Sequence, residues 1–402
     1  MLKTIIVRSI MASVLFFTVL QPGMSIAEKD LPCMQGITPS DSFLVADLEG
    51  HILLKKHERQ KRIPASTLKI LTALAALDHL GASYRFKTEF YLDGEGNLKV
   101  KGYGDPLLIS EVLQEIATRI AQKIDGFKDL ILDDTYFERD IIVPGRKQTT
   151  NPYDAPLGAL CANFNTIFFS SDRQGRLISA EPQTPLIPFA RQKIKEIGEK
   201  RGRYTLSHDS RDITGYFGRL LLHFLKKRGV RSSGKVGVGR VRSSDELLYA
   251  YHSRFDLKTL LRKMMEYSSN FMANQVFVTL GAHQYGPPGT LAKGVQVVSA
   301  YSKTKLGLDN IVMEEGSGIS RRNQLSALDM WLILKRFAPH RHMLNSKGEL
   351  TFKTGSLRGV RTRAGYVQVP DTAPHCFVIF LNRSGGDIEA LMDCVKQAVA
   401  DP

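Results

Sequence analysis

The chain has 402 residues, a formal net charge of +15, and 43% hydrophobic against 24% charged residues. That length exceeds what one hydrophobic core usually serves, so two units are expected, and the composition excludes extended disorder or low complexity. A basic surface suits an anionic partner.

The first 27 residues have the layout of a secretory leader. Lys3 and Arg8 precede an apolar run from Ile10 to Leu20, and Ser25-Ile26-Ala27 supplies small residues for cleavage. The run is too short to span a bilayer, and no later segment reads as a stable membrane span. The expectation is therefore an exported, periplasmic protein, for which nucleic acid is the poorest anionic partner.

"SFLVADLEGHILLKK", Ser42 to Lys56, reads as two short strands joined at a turn. "PASTLKILTALAALDHLG" follows as a helix, with Pro64 ahead of its first turn and Gly81 at its end. Leu68, Leu71, Leu74, Ala75 and Leu77 recur at helical spacing and predict a buried face. Lys69 stands out in this setting, because an unpaired ammonium near a core is costly.

Residues 86–210 change character and predict an inserted, smaller α/β unit. It contains strands in "FKTEFYL" and "NLKVKG", an amphipathic helix in "ISEVLQEIATRIAQK", and turn-rich stretches such as "NPYDAPLG" and "EPQTPLIP". The densest basic run, Arg191 to Arg203, alternates with Glu and Ile and reads as a solvated helix face. A helix is expected over 216–228. One long helix is expected over 257–280, with Asp256 as N-cap.

Near the C-terminus, "LTFKTGS", "GVRTRAGYVQV" and "CFVIFLN" read as three strands, and "DIEALMDCVKQAVA" as a closing amphipathic helix. Strands at both ends with helices between them predict an α+β layer architecture with an antiparallel sheet. Its segments would be 28–85 and 211–402. Cys33, Cys161, Cys376 and Cys394 show no metal-ligand spacing. Cys376 and Cys394 make a plausible disulfide, although four cysteines allow three pairings. No HExxH occurs, "HRH" at 340–342 reads as surface, and no metal site is expected.

Ser66-x-x-Lys69 alone is weak, because Ser-x-x-Lys recurs at Ser232 and Ser302. The copy at Ser66 differs in sitting at a helix start. One helical turn puts Lys69 within reach of the Ser66 hydroxyl, and the free N–H groups there favour developing negative charge. A hydroxyl becomes a competent nucleophile when a neighbouring base takes its proton, and a lysine can be that base when burial lowers its pKa. Ser268-Ser269-Asn270 is the only Ser-x-Asn in the chain, and Lys353-Thr354-Gly355 the only Lys-Thr-Gly. Three such motifs in this order are characteristic of acylating serine enzymes that take penicillin.

On these residues the chain resembles the class C low-molecular-mass penicillin-binding proteins, a family of D-alanyl-D-alanine carboxypeptidases and endopeptidases. "GYGDPLL", "APLGALCANFN", "GSGISRRN" (Gly316 to Asn323) and "KTGSLRGV" extend the likeness over most of residues 28–402. The chain carries Glu315 where the family commonly has aspartate, and the segment before Lys353 is short and basic. The resemblance implies a serine β-lactamase/DD-peptidase-like domain, with a five-stranded antiparallel sheet flanked by helices and interrupted by the insertion. It implies Ser66 as nucleophile, Lys69 as general base, Ser268 as proton relay between Lys69 and Lys353, and Asn270 as substrate-orienting group. Lys353 and Thr354 would receive the terminal carboxylate. Gly355 would permit close approach, and the Ser66 and Ser356 N–H groups would form the oxyanion hole. Arg321 and Arg361 are candidate contacts for a substrate carboxylate, the alternative for each being an ordinary surface arginine. The implied substrate is a peptidoglycan peptide, the implied inhibitors β-lactams, and no cofactor is required. Alternatives are a β-lactamase or other amide hydrolase on this scaffold, and a non-catalytic cell-wall-binding protein.

Overall fold

The computed structural model describes residues 31–368 and 373–400, so the leader proposed for residues 1–27 lies outside the described residues. Its main sheet runs in the order Asn345–Lys347, Leu350–Leu357, Val360–Val367, His375–Leu381, Asp41–Ala46, Ile52–Lys56, and every neighbouring pair is antiparallel. Five of these strands are the expected sheet. The sixth, Asn345–Lys347, pairs only with residues 350–352.

Period-two alternation explains how both faces of the sheet are covered. Leu44, Ala46, Ala364, Tyr366, Val378 and Phe380 face a layer built from the helices Lys69–Leu80, Leu257–Glu266, Asn270–Tyr285 and Ala327–Phe337. Phe43, Val45, Phe377, Ile379 and Leu381 point the other way and pack on the C-terminal helix Ile388–Ala400. All six residues of Asp41–Ala46 are buried, as a strand covered on both faces requires. Each large aliphatic side chain so covered contributes about 1.5–3 kcal/mol.

Cys33 pairs with Cys394, tying the turn Pro32–Gly36 to the last helix across 361 residues of sequence. The pairing considered from sequence, Cys376 with Cys394, is not formed. Cys376 is buried and free on the face carrying the helix layer, whereas Cys394 lies on the opposite face.

A second core gathers Phe90, Val100, Leu113, Ile116, Leu132, Phe217, Leu220 and Leu221. It lies on a five-stranded sheet ordered Val236–Val238, Leu130–Asp133, Leu98–Gly102, Lys87–Leu92, Glu246–His252. This unit runs past the boundary expected at residue 210. Helix Ser210–Lys227, capped by Asp209, buries its apolar face there, and Glu246–His252 pairs with Lys87–Leu92. Gly218 allows the close fit of helix on sheet, because a β-carbon there would stand 2.5 Å from Leu132 Cδ1. No described helix is long and apolar enough to cross a membrane.

Candidate active site

The segment after Pro64 does not enter its helix directly. Ala65 adopts a left-handed φ of 46°, Ala65–Leu68 forms a 3-10 turn, and the α-helix begins at Lys69. Leu68, Ile70, Leu71, Ala73 and Leu74 are buried and fix the turn against the core. Ser66 is left half-buried, whereas Lys69 is wholly buried.

Lys69 is fully hydrogen-bonded. Its Nζ donates to Ser66 Oγ at 2.9 Å, Asn270 Oδ1 at 2.8 Å and the Ser317 carbonyl at 2.7 Å. Burial drives its pKa well below the usual lysine value. The positive charge of Lys353 pushes the same way, and the Glu315 carboxylate opposes them.

The expected single helix over 257–280 is two helices, Leu257–Glu266 and Asn270–Tyr285. Asp256 caps the first, accepting from Thr259 N at 2.9 Å. Between them Ser268 takes a left-handed φ of 51°, and Ser269 caps the second helix by accepting from Met272 N at 3.2 Å. Such a conformation in a non-glycine residue costs of order 1–3 kcal/mol and persists where its surroundings over-determine it. The break points the Ser268 hydroxyl at Lys353 and the Asn270 amide at Lys69.

Lys353 is buried on the strand Leu350–Leu357. It donates to Ser268 Oγ at 2.8 Å and to the Thr354 carbonyl at 2.7 Å. Burial lowers its pKa to about 8. Ser268 thus touches Lys353, and no hydrogen bond joins it to Lys69. Gly355 sits against the Ala65–Leu68 turn: a β-carbon would lie 2.3 Å from Thr362 Oγ1, 2.7 Å from Ser66 N and 3.0 Å from Ala65 Cβ. Thr362 Oγ1 in turn donates to the Pro64 carbonyl at 2.8 Å, tying strand to turn. Thr354 and Ser356 are exposed on the same strand.

Ser66, Lys69, Ser268, Asn270 and Lys353 therefore meet in one cluster, with Gly355 packed against it. The arginines do not join them. Arg321 is exposed and donates to the Arg358 carbonyl, and Arg361 donates to the Gly386 carbonyl at 2.6 Å.

Two segments quoted for the resemblance take structural roles that the sequence did not announce. The first is the loop Glu315–Ser320, whose Ser317 carbonyl is one of the three acceptors of Lys69. The second is the run Asn163-Phe164-Asn165, with φ of 49°, 61° and 55°. Its clue is the pair of asparagines, which tolerate the left-handed region. The turn sets Phe164 edge-on to Phe271, with ring centroids 6.2 Å apart. Both rings line a cavity of about 650 Å³ whose wall also includes Tyr153, Tyr267, Ser268 and Asn270, so two members of the cluster border it together with residues of the second unit such as Glu181 and Arg203.

Residues 40–345 match the D-Ala-D-Ala carboxypeptidase 3 (S13) family. D-alanyl-D-alanine carboxypeptidase DacB of Haemophilus influenzae is 25% identical, over 86% of this chain and 84% of its own. A D-alanyl-D-alanine carboxypeptidase of Actinomadura is 24% identical, over 92% and 82%. The crystal structure of penicillin binding protein 4 (dacB) from H. influenzae has the same fold, with a TM-score of 0.73 at 22% identity, over 89% of this chain and 94% of that one.

Proposed function

The chain belongs to the D-Ala-D-Ala carboxypeptidase 3 (S13) family and is a serine DD-peptidase, and from that premise we propose how its residues divide the work. The observation that carries the reading is the three-way hydrogen bonding of a wholly buried Lys69, one arm of which ends on Ser66 Oγ.

Lys69, whose ammonium form burial and Lys353 disfavour, takes the Ser66 proton as Oγ attacks the carbonyl of the penultimate D-alanine. The N–H groups of Ser66 and Ser356 receive the oxyanion, and losing one such donor typically costs about 10²–10³ in rate. Lys353 and Thr354 hold the terminal carboxylate. Ser268 passes its proton to the departing amine and is reprotonated by the Lys353 ammonium hydrogen-bonded to it. Water then hydrolyses the acyl-enzyme. Lys69, which keeps the Ser66 proton until then, returns it to Oγ, and the proton of the attacking water goes back through Ser268 to Lys353. A β-lactam acylates the same oxygen but keeps its leaving group attached.

The cavity beside Phe164 and Tyr153 gives room for the rest of the peptide stem, which is the role we assign to the inserted unit. Export to the periplasm fits the leader-like N-terminus, and the Cys33–Cys394 disulfide suits an oxidising compartment. The net charge of +15 suits retention near an anionic wall, so binding to isolated sacculi should strengthen at low salt.

Mass spectrometry of muropeptides before and after incubation tests the reading. Loss of one alanine marks carboxypeptidase action, and conversion of dimers to monomers marks endopeptidase action. Unchanged muropeptides, with rapid turnover of a chromogenic cephalosporin, would favour the β-lactamase alternative.

A further inference from the structure

Glu315 is wholly buried, yet its carboxylate is saturated. Oε2 accepts from Asn274 Nδ2 at 3.0 Å, Ser317 N at 2.7 Å and Ser317 Oγ at 2.6 Å. Oε1 accepts from Gly318 N at 2.7 Å, Ser320 N at 3.2 Å and Asn323 Nδ2 at 2.6 Å. Three backbone N–H groups of the loop, those of Ser317, Gly318 and Ser320, thereby converge on one side chain. The loop is held from outside as well: Asn274 Oδ1 accepts from Gly316 N at 2.8 Å, and Thr72 Oγ1 donates to the Gly316 carbonyl at 2.7 Å. Gly318, at φ of 82°, lies so close to the Ser66 turn that a β-carbon would meet the Ala65 carbonyl at 1.9 Å.

The product of this convergence is one outward-facing group, the Ser317 carbonyl, set 2.7 Å from Lys69 Nζ. An amine that must accept a proton from Ser66 needs its lone pair aimed there. Two fixed acceptors, Asn270 Oδ1 and the Ser317 carbonyl, take up its own hydrogens and leave that direction open. The charged groups facing Lys69 are Lys353 from the strand and Glu315 from the loop.

We propose that Glu315 is a positioning residue of the reaction, gathering the Gly316–Ser320 loop on a single buried carboxylate so that the Ser317 carbonyl aims the Lys69 amine at Ser66. This rests on the reading of Lys69 as general base. Glu315 has a second consequence of known sign: its negative charge favours the ammonium form of Lys69, so removing it moves base function to lower pH.

The test is the pH dependence of acylation by a fluorescent penicillin in the full-length protein. Glu315→Gln removes the charge and turns an amide NH2 towards donors. Acylation should fall about 10–100-fold, as expected for a small misplacement of a reacting group, and its acid limb should shift to lower pH. Glu315→Asp keeps the charge, should restore most of the rate, and should leave the limb at its wild-type pH. Ser317→Ala removes one of the six donors but retains the carbonyl, so it keeps the proposal testable if Glu315→Gln does not fold. It should acylate severalfold more slowly with the limb unmoved. Wild-type rate and limb in Glu315→Gln, or wild-type rate in Ser317→Ala, would overturn the role of Glu315 alone. A wild-type protein that takes up no penicillin would overturn the underlying peptidase reading.

Discussion

A β-carbon added to Gly355 would stand 2.7 Å from the backbone nitrogen of Ser66. The strand and the Ser66 turn are thus in contact at backbone level, and the N–H proposed to receive the oxyanion lies at that contact. Gly355→Ala should force the two apart, at a stability cost of about 1–3 kcal/mol for overpacking. Acylation should fall about 10²-fold, the penalty typical of a displacement near 1 Å. Stopped-flow acylation with a thermal melt checks both, and an unaltered rate would show that the contact does not set the geometry.

Lys69→Ala removes the proposed base together with the desolvation cost of a wholly buried amine, so the fold should survive. Loss of a positioned base typically costs about 10²–10⁴ in rate. Labelling by fluorescent penicillin should fall to background while circular dichroism stays native; normal labelling would refute the assignment.

The lowered pKa of Lys353 fixes the alkaline side of the pH profile. Below about 8 it is an ammonium able to attract a substrate carboxylate, and above that value the charge is lost. kcat/KM for a peptide ending in D-Ala-D-Ala should therefore decline above about pH 8, because that ratio reports the free enzyme. A peptide amide lacking the carboxylate should show a much weaker decline. Parallel declines for both would remove Lys353 from carboxylate recognition.

The Cys33–Cys394 bond closes a separation of 361 residues, nearly the whole described chain. Replacing both cysteines with serine should reduce stability by about 2–5 kcal/mol. Denaturant unfolding measures this, and the acylation rate should be unchanged because the bond lies on the face of the sheet away from the helix layer.

What could be read from the sequence was mostly local. Ser66 and Lys69 are one helical turn apart, so their contact follows from periodicity. The apolar run Phe43-Leu44-Val45-Ala46 was read as a strand, and its burial on both faces came with the structure. The break at Ser268 was hidden because helical apolar spacing continues through it, and serine carries no mark of a left-handed φ. The boundary at residue 210 failed because it depends on the non-local pairing of Glu246–His252 with Lys87–Leu92. The disulfide was hidden for a related reason. Cys376 and Cys394 are close in sequence, but they lie on opposite faces of the sheet. The role of the Glu315 loop needed coordinates, because its six donors combine the stretch Ser317–Asn323 with Asn274, which lies on a helix 41 residues before Glu315.

The most direct test of the central claim is to incubate the protein with benzylpenicillin, digest it, and locate the covalent adduct by tandem mass spectrometry. The account predicts a single adduct on the peptide containing Ser66, abolished in Ser66→Ala and in Lys69→Ala. An adduct on Ser268 or another side chain, or undiminished labelling of Ser66→Ala, would contradict it.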